Sequence, residues 1–135
     1  MNTSQGEQKI INILKKEGVN FQREFTPLDL KSLRGKRLRF DFFLEDKNTI
    51  IEFDGEQHFF FNKKFHQNQQ GFQYYQESDA IKNEYCLAKK ILLYRIPFFK
   101  LEQLDKYENL FINSFLVKTR WHNYNLTKEL AKSYK

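Results

Sequence analysis

The chain has 135 residues, enough for one domain with one modest core. Aromatic residues make up 17% of it, fifteen of them Phe, which excludes a disordered chain. Its net charge of +6 at pH 7 favours a polyanionic partner, nucleic acid ahead of a membrane surface.

Ser4-Gln5-Gly6-Glu7 is a capping-box pattern ahead of apolar Ile10, Ile13 and Leu14, which predicts a helix over about 5–17, stopped by Gly18. Val19 to Phe25 reads as a short edge strand, and Pro27 opens an irregular stretch. Leu38, Phe40, Phe42 and Leu44 then alternate with Arg39, Asp41 and Phe43, which is strand periodicity. Residues 45–48 form a turn, and Thr49 to Asp54 is the next strand, ended by Gly55. Residues 56–71 lack a clean period and read as a long loop. A helix is expected from about Phe72 to Lys90, followed by a short apolar strand from Ile91 to Ile96 that Pro97 closes. Another helix is expected from about Lys100 to Val117, then a basic tail with a short terminal helix. No repeat or Gly/Pro/Ser-rich linker divides the chain. Residues 1–117 are thus expected as the core and 118–135 as a tail of the same domain. The order is α-β-β-β-α-β-α, an α/β sheet with helices on its faces.

Geometry can be read from the hairpin. With Leu44 opposite Thr49, paired positions place Asp41 opposite Glu52 and Arg39 opposite Asp54. Such pairs have Cβ atoms roughly 4.5–5.5 Å apart. Phe40, Phe42, Ile51 and Phe53 are left to pack on the other face. Two like charges held this close destabilise a sheet unless something compensates them. A divalent cation bound to both would do so, and hard oxygen ligands suit Mg²⁺ or Mn²⁺. A shifted register would instead make both acids solvent-facing strand residues. Beside them, Lys31, Arg34, Lys36, Arg37 and Arg39 lie within nine residues that hold no acid, an expected phosphate-attracting surface.

The run Arg39-Phe40-Asp41-Phe42 … Ile51-Glu52-Phe53-Asp54-Gly55-Glu56-Gln57-His58-Phe59 resembles the PD-(D/E)XK nuclease superfamily. More narrowly it is similar to the branch of very-short-patch repair endonucleases and EDxHD homing endonucleases. Asp79-Ala80-Ile81-Lys82, Leu92 to Pro97 and the first helix add weaker matches in the right order. The resemblance implies a restriction-endonuclease-like core, a mixed central sheet flanked by helices. It implies an Mg²⁺- or Mn²⁺-dependent endonuclease of DNA, held by Asp41, Glu52 and Asp54 as metal ligands. Glu7, His58 and Asp79 complete the implied catalytic set, with His58 aligning or deprotonating water. Asp54 departs from the wider superfamily, which places a lysine there.

Each residue also has a structural role open to it. Glu7 completes a helix cap, and Asp54 can pair with Arg39. Asp79 and Lys82 can form a helical ion pair, or Lys82 can replace the missing lysine. Lys36, Arg37, Arg39 and Lys82 are the expected nucleic-acid contacts. His66 and His122 are expected at the surface, Glu24 in solvent, and Cys86 as a buried thiol; a single cysteine also excludes an internal disulfide. Without a signal-peptide pattern, long apolar span or lipidation motif, a cytoplasmic location without membrane contact is expected. Besides DNA, the expected partners are a second copy of the chain or a targeting subunit. The rival reading is a binding module of the same fold that lacks catalysis.

Overall fold

The computed structural model describes residues 3–133, with side chains through residue 130. Helix α1 (Gln5–Glu17) begins where expected, the Ser4 hydroxyl accepting the Glu7 N–H, and ends at Gly18, whose φ of 77° lets its N–H reach the carbonyls of Leu14 and Lys15. It buries Ile10, Ile13 and Leu14.

Five strands form one mixed, open sheet in the order β1 (Gln22–Phe25), β2 (Phe40–Leu44), β3 (Thr49–Asp54), β4 (Leu92–Pro97) and β5 (Phe115–Leu116). Neighbours are antiparallel except β3 and β4, which run parallel. A one-turn helix α2 (Lys63–His66) and the long helix α3 (Gln69–Lys89) connect that parallel pair. Two shorter helices, α4 (Tyr107–Ile112) and α5 (His122–Ser133), follow β4 and β5. Among the described residues no helix is long and apolar enough to cross a membrane.

Two apolar clusters sandwich the sheet. Phe42, Leu44, Ile51 and Ile96 pack with α1, Leu104 and Leu110. Ile50, Leu93 and Phe40 pack with Leu30, Cys86 and Val117. Being covered on both sides explains why the consecutive residues Ile50 and Ile51 of β3, which face opposite clusters, are both fully buried. Phe40 was expected beside Phe42 and Ile51. It lies instead in the second cluster, stacked 6.5 Å from Phe25.

The stretch expected as one helix over 100–117 is divided. A 3₁₀ segment (Phe98–Gln103) ends at buried Leu104, α4 follows, and Phe115–Leu116 pairs with Tyr94 and Arg95. Covering the free edge of β4 outweighs helical propensity here. Within the expected loop, Asn62 and Asn68 cap α2 and α3 by accepting backbone N–H groups of Lys64 and Gly71, so α3 starts before Phe72.

Gly6 sets the approach of α1 to β3, since a Cβ there would lie 2.4 Å from the Phe53 ring. Gly6→Ala should therefore lower stability. Overpacking of about 1–3 kcal/mol exceeds the roughly 1 kcal/mol gained in helix propensity. Urea denaturation measures the difference; an unchanged or higher midpoint would contradict the close approach.

Candidate active site

The hairpin register is the expected one, with Phe42, Phe43 and Leu44 facing Ile51, Ile50 and Thr49. One step further, side chains replace the ladder. The Asp41 N–H donates to Glu52 Oε1 at 2.9 Å, and the Phe53 N–H donates to Asp41 Oδ2 at 2.8 Å. Each carboxylate thus satisfies the backbone of the opposite strand, and the two acids are held side by side. Glu52 Oε2 accepts from Lys82 Nζ on α3 at 3.0 Å.

Behind this pair lies a buried arginine. The parallel register sets Arg95 of β4 beside Glu52, and Arg95 is 1% exposed. Its Nη1 donates to Asp54 Oδ1 at 2.8 Å and lies 4.0 Å from Glu52 Oε2. Its Nη2 lies 3.8 Å from Asp79 Oδ1, and its Nε donates to Asn83 Oδ1 at 2.8 Å. Asn123 of α5 donates to the second oxygen of Asp54 at 2.9 Å. His58, in the 3₁₀ turn after β3, places Nδ1 2.8 Å from Asp79 Oδ2 and 3.6 Å from Asp54 Oδ1.

Three carboxylates (Glu52, Asp54, Asp79) therefore face three cations (Lys82, Arg95, His58) within the buried network. Burial alone would lower His58, but the charges of Asp79 and Asp54 outweigh it and lift the imidazole to about 9. Burial would raise Asp79, yet His58 and Arg95 hold it at about 2. Burial likewise opposes the charge on Lys82, and Glu52 more than restores it. Asp41 is a fourth acid, and among the described residues it has no counter-charge of its own. Burial first, then the charge of Glu52, push its carboxyl well above the ordinary range, against the smaller pull of Lys82.

Asp41, Glu52, His58, Asp79 and Lys82 share a cleft of about 620 Å³, whose wall includes Lys36, Arg37 and Arg39 and whose rim includes Glu7. Glu7 is held by Arg23 at 3.0 Å and by the Ser4 hydroxyl at 2.9 Å, so helix cap and cleft wall share one residue. Of the expected catalytic set, Asp54 alone does not line the cleft; it turns toward Arg95 and Asn123.

Several expected pairings change. Arg39 lies 3.7 Å from Glu24, which is therefore not simply solvated, and Asp54 pairs with Arg95 instead. Lys82 joins Glu52 rather than forming the helical pair with Asp79. His66 is 4% exposed, enclosed by the rings of Phe61, Phe72 and Tyr75, and is not a surface residue. Cys86 is buried as expected, its thiol pushed up to about 12 by burial. Arg95, Asn83 and Asn123 escaped sequence reading. The available signal was a charged residue in the middle of an apolar strand, Leu92-Leu93-Tyr94-Arg95-Ile96-Pro97, which demands acidic partners.

Among the described residues no three His, Cys, Asp or Glu side chains form a ready-made metal cage. Asp41 with Glu52 nonetheless fits Mg²⁺ or Mn²⁺: Mg²⁺ is commonly bound through one or two carboxylates, with water and substrate phosphate completing its sphere. Comparison with models of protein families, curated proteins and solved structures finds no match for this chain.

The His58 pairing carries a pH signature. Below the ordinary value of 6.5 both folded and unfolded states hold the proton, so its stabilisation is fully present. It is lost as pH rises through about 9. An NMR titration of the His58 ring should have its midpoint near 9, and His58→Gln should flatten the alkaline decline in stability. A midpoint at or below 6.5 would contradict the ion pair.

Proposed function

We propose that this chain is a Mg²⁺- or Mn²⁺-dependent DNA endonuclease of the PD-(D/E)XK type, with a restriction-endonuclease-like core, acting in the cytoplasm. The observation that carries this reading is Asp41, an acid that among the described residues lacks a counter-charge, beside Glu52 in a cleft lined by Lys36, Arg37 and Arg39. Asp41 and Glu52 would hold the ion, which when bound lowers the pKa of water and neutralises charge on the scissile phosphate.

The chain's own residues supply the rest. Charged Lys82, fixed on Glu52, stands in for the lysine that the superfamily places at the position of Asp54. It is a donor, suited to a phosphate oxygen rather than to proton abstraction. His58, its imidazole lifted to about 9 by Asp79 and Asp54, is placed to orient water or phosphate. Asp79 fixes the His58 ring, and Tyr75 O–H lies 3.4 Å from its other nitrogen. Arg95 positions Glu52, Asp54 and Asp79 from behind. Lys36, Arg37 and Arg39 grip the phosphate backbone without reading bases. A second copy of the chain or a targeting subunit would supply sequence readout.

One observation favours the rival reading of a binding module: both Glu52 oxygens already have partners, Lys82 and the Asp41 N–H. Plasmid cleavage decides between them. Mg²⁺ or Mn²⁺ should support cutting that EDTA abolishes. Asp41→Ala and Glu52→Ala should each reduce it by at least about a hundred-fold, while DNA binding in EDTA persists. Full cleavage by either variant overturns the mechanism, and binding without cleavage by the unaltered chain supports the module.

A further inference from the structure

Helix α3 presents two faces to two cavities. Ser78, Asp79 and Lys82 line the cleft that holds Asp41 and Glu52. Gln73, Gln76, Glu77 and Ala80 line a second cavity of about 170 Å³. At about 3.6 residues per turn the two sets point to opposite sides of the helix. Arg120, Trp121, Asn123 and Tyr124, where the chain turns into α5, form the other wall. Among the described residues the two cavities share no lining side chain.

The second cavity is built onto the buried network. Asn123, 2% exposed, donates to Asp54 and accepts from Asn83 at 3.5 Å, and Asn83 also donates to the Arg120 carbonyl at 3.0 Å. The Arg120 guanidinium pairs with Glu84 of α3 and lies 4.8 Å from the Trp121 ring centroid. Trp121 N–H donates to Thr119 Oγ1 at 3.2 Å, which fixes the backbone that carries the ring. That ring meets Tyr124 edge-on at 6.4 Å, and Lys128 Nζ lies 5.2 Å from the Tyr124 ring. Trp121 and Tyr124 stay about half exposed, at 49% and 48%. Across from them, Gln73 and Glu77 make no side-chain hydrogen bond or ion pair among the described residues.

We propose that this cavity takes one unpaired nucleobase of a single DNA strand, stacked on Trp121 and Tyr124 and held at its edge by Gln73 and Glu77. Drug-sized sites run to roughly 300–1,000 Å³; this smaller one suits a single flat ring system. Aromatic side chains stack on any base, and Arg120 and Lys128 beside the rings attract the flanking phosphates. A base inside a duplex has its faces stacked and its edge paired, so only an unpaired one enters. The Glu77 carboxylate accepts hydrogen bonds and donates none, which selects a base with an exocyclic amine, cytosine over thymine. The inference goes beyond the nuclease reading and needs no metal. Cavity and cleft lie one helix width apart, about 10–12 Å, so DNA with a single-stranded extension engages both.

Trp121 is the chain's only tryptophan, so its fluorescence reports on this cavity directly. The full chain in EDTA is titrated with oligo(dC), oligo(dT), a blunt duplex and dCMP. Oligo(dC) should quench the fluorescence and bind roughly five-fold tighter than oligo(dT). The duplex should leave it unchanged, and dCMP, without neighbouring phosphates, should need at least about ten-fold higher concentration. By anisotropy of labelled oligo(dC), Trp121→Ala should bind on the order of ten-fold more weakly, and Trp121→Phe close to the unaltered chain. Glu77 is exposed, so Glu77→Gln tests the site without touching the fold; it should lose the preference for oligo(dC). No quenching by either strand, equal quenching by the duplex, or full affinity in Trp121→Ala would each overturn the site. So would a preference kept by Glu77→Gln, or dCMP as tight as oligo(dC), which assigns a free nucleotide. Plasmid cleavage with Mg²⁺ is read separately: quenching without cutting sinks the nuclease reading alone, and cutting without quenching sinks this site alone.

Discussion

Arg95 is enclosed on β4, and a guanidinium cannot be taken from water there without carboxylates around it. Its burial dictates what surrounds it. Glu52 and Asp54 come from the neighbouring strand, Asp79 and Asn83 from α3, and Asn123 from α5 orients Asp54. Removing one partner of such a cluster costs about 3–5 kcal/mol, whereas a wholly apolar replacement is often neutral or better. The arrangement is thus a weak source of stability and a strong constraint on position. It holds three acids and two helices in fixed relation to the end of β3.

The active-site reading follows from how the charges divide. Lys82, Arg95 and His58 neutralise three carboxylates, and Asp41 is added to them by the hairpin register. The strands accommodate it by giving up ladder bonds: each acid accepts an N–H from the opposite strand, which uses one oxygen of each and brings the carboxylates together. A compact cation is what we propose binds there. The basic wall formed by Lys36, Arg37 and Arg39 then makes the cleft attractive to phosphate despite the acids at its floor.

Much of this frame was legible because local chemistry and tertiary structure agree. Ser4 and Gly18 mark the ends of α1, and the short turn at 45–48 fixes the pairing of β2 with β3, hence Asp41 beside Glu52. What depended on distant packing was not legible. The Asp54–Arg39 pair follows from extending the ladder, but β2 leaves the ladder at Asp41, and Arg95 arrives only through a parallel pairing across α3. Lys82 is three residues from Asp79 on one helix, yet the nearer partner is Glu52 on the sheet. The pattern over 100–117 fits a helix until the open edge of β4 draws Phe115 and Leu116 into pairing. His66 gives no sequence sign of burial, since its enclosure depends on aromatic rings from both sides of the α2 turn.

The central claim is that, among the described residues, Asp41 is the buried carboxylate of the cluster without a counter-charge. Chemical denaturation of the unaltered chain and Asp41→Asn, in EDTA and across pH, tests it most directly. Below about pH 3.8 both folded and unfolded chains keep the Asp41 proton, so the variant should show no advantage. As pH rises the unfolded chain ionises while the folded one resists. Asp41→Asn should therefore become progressively more stable than the unaltered chain toward neutrality. A variant that is instead less stable at neutral pH, or equally stable at every pH, would contradict the account.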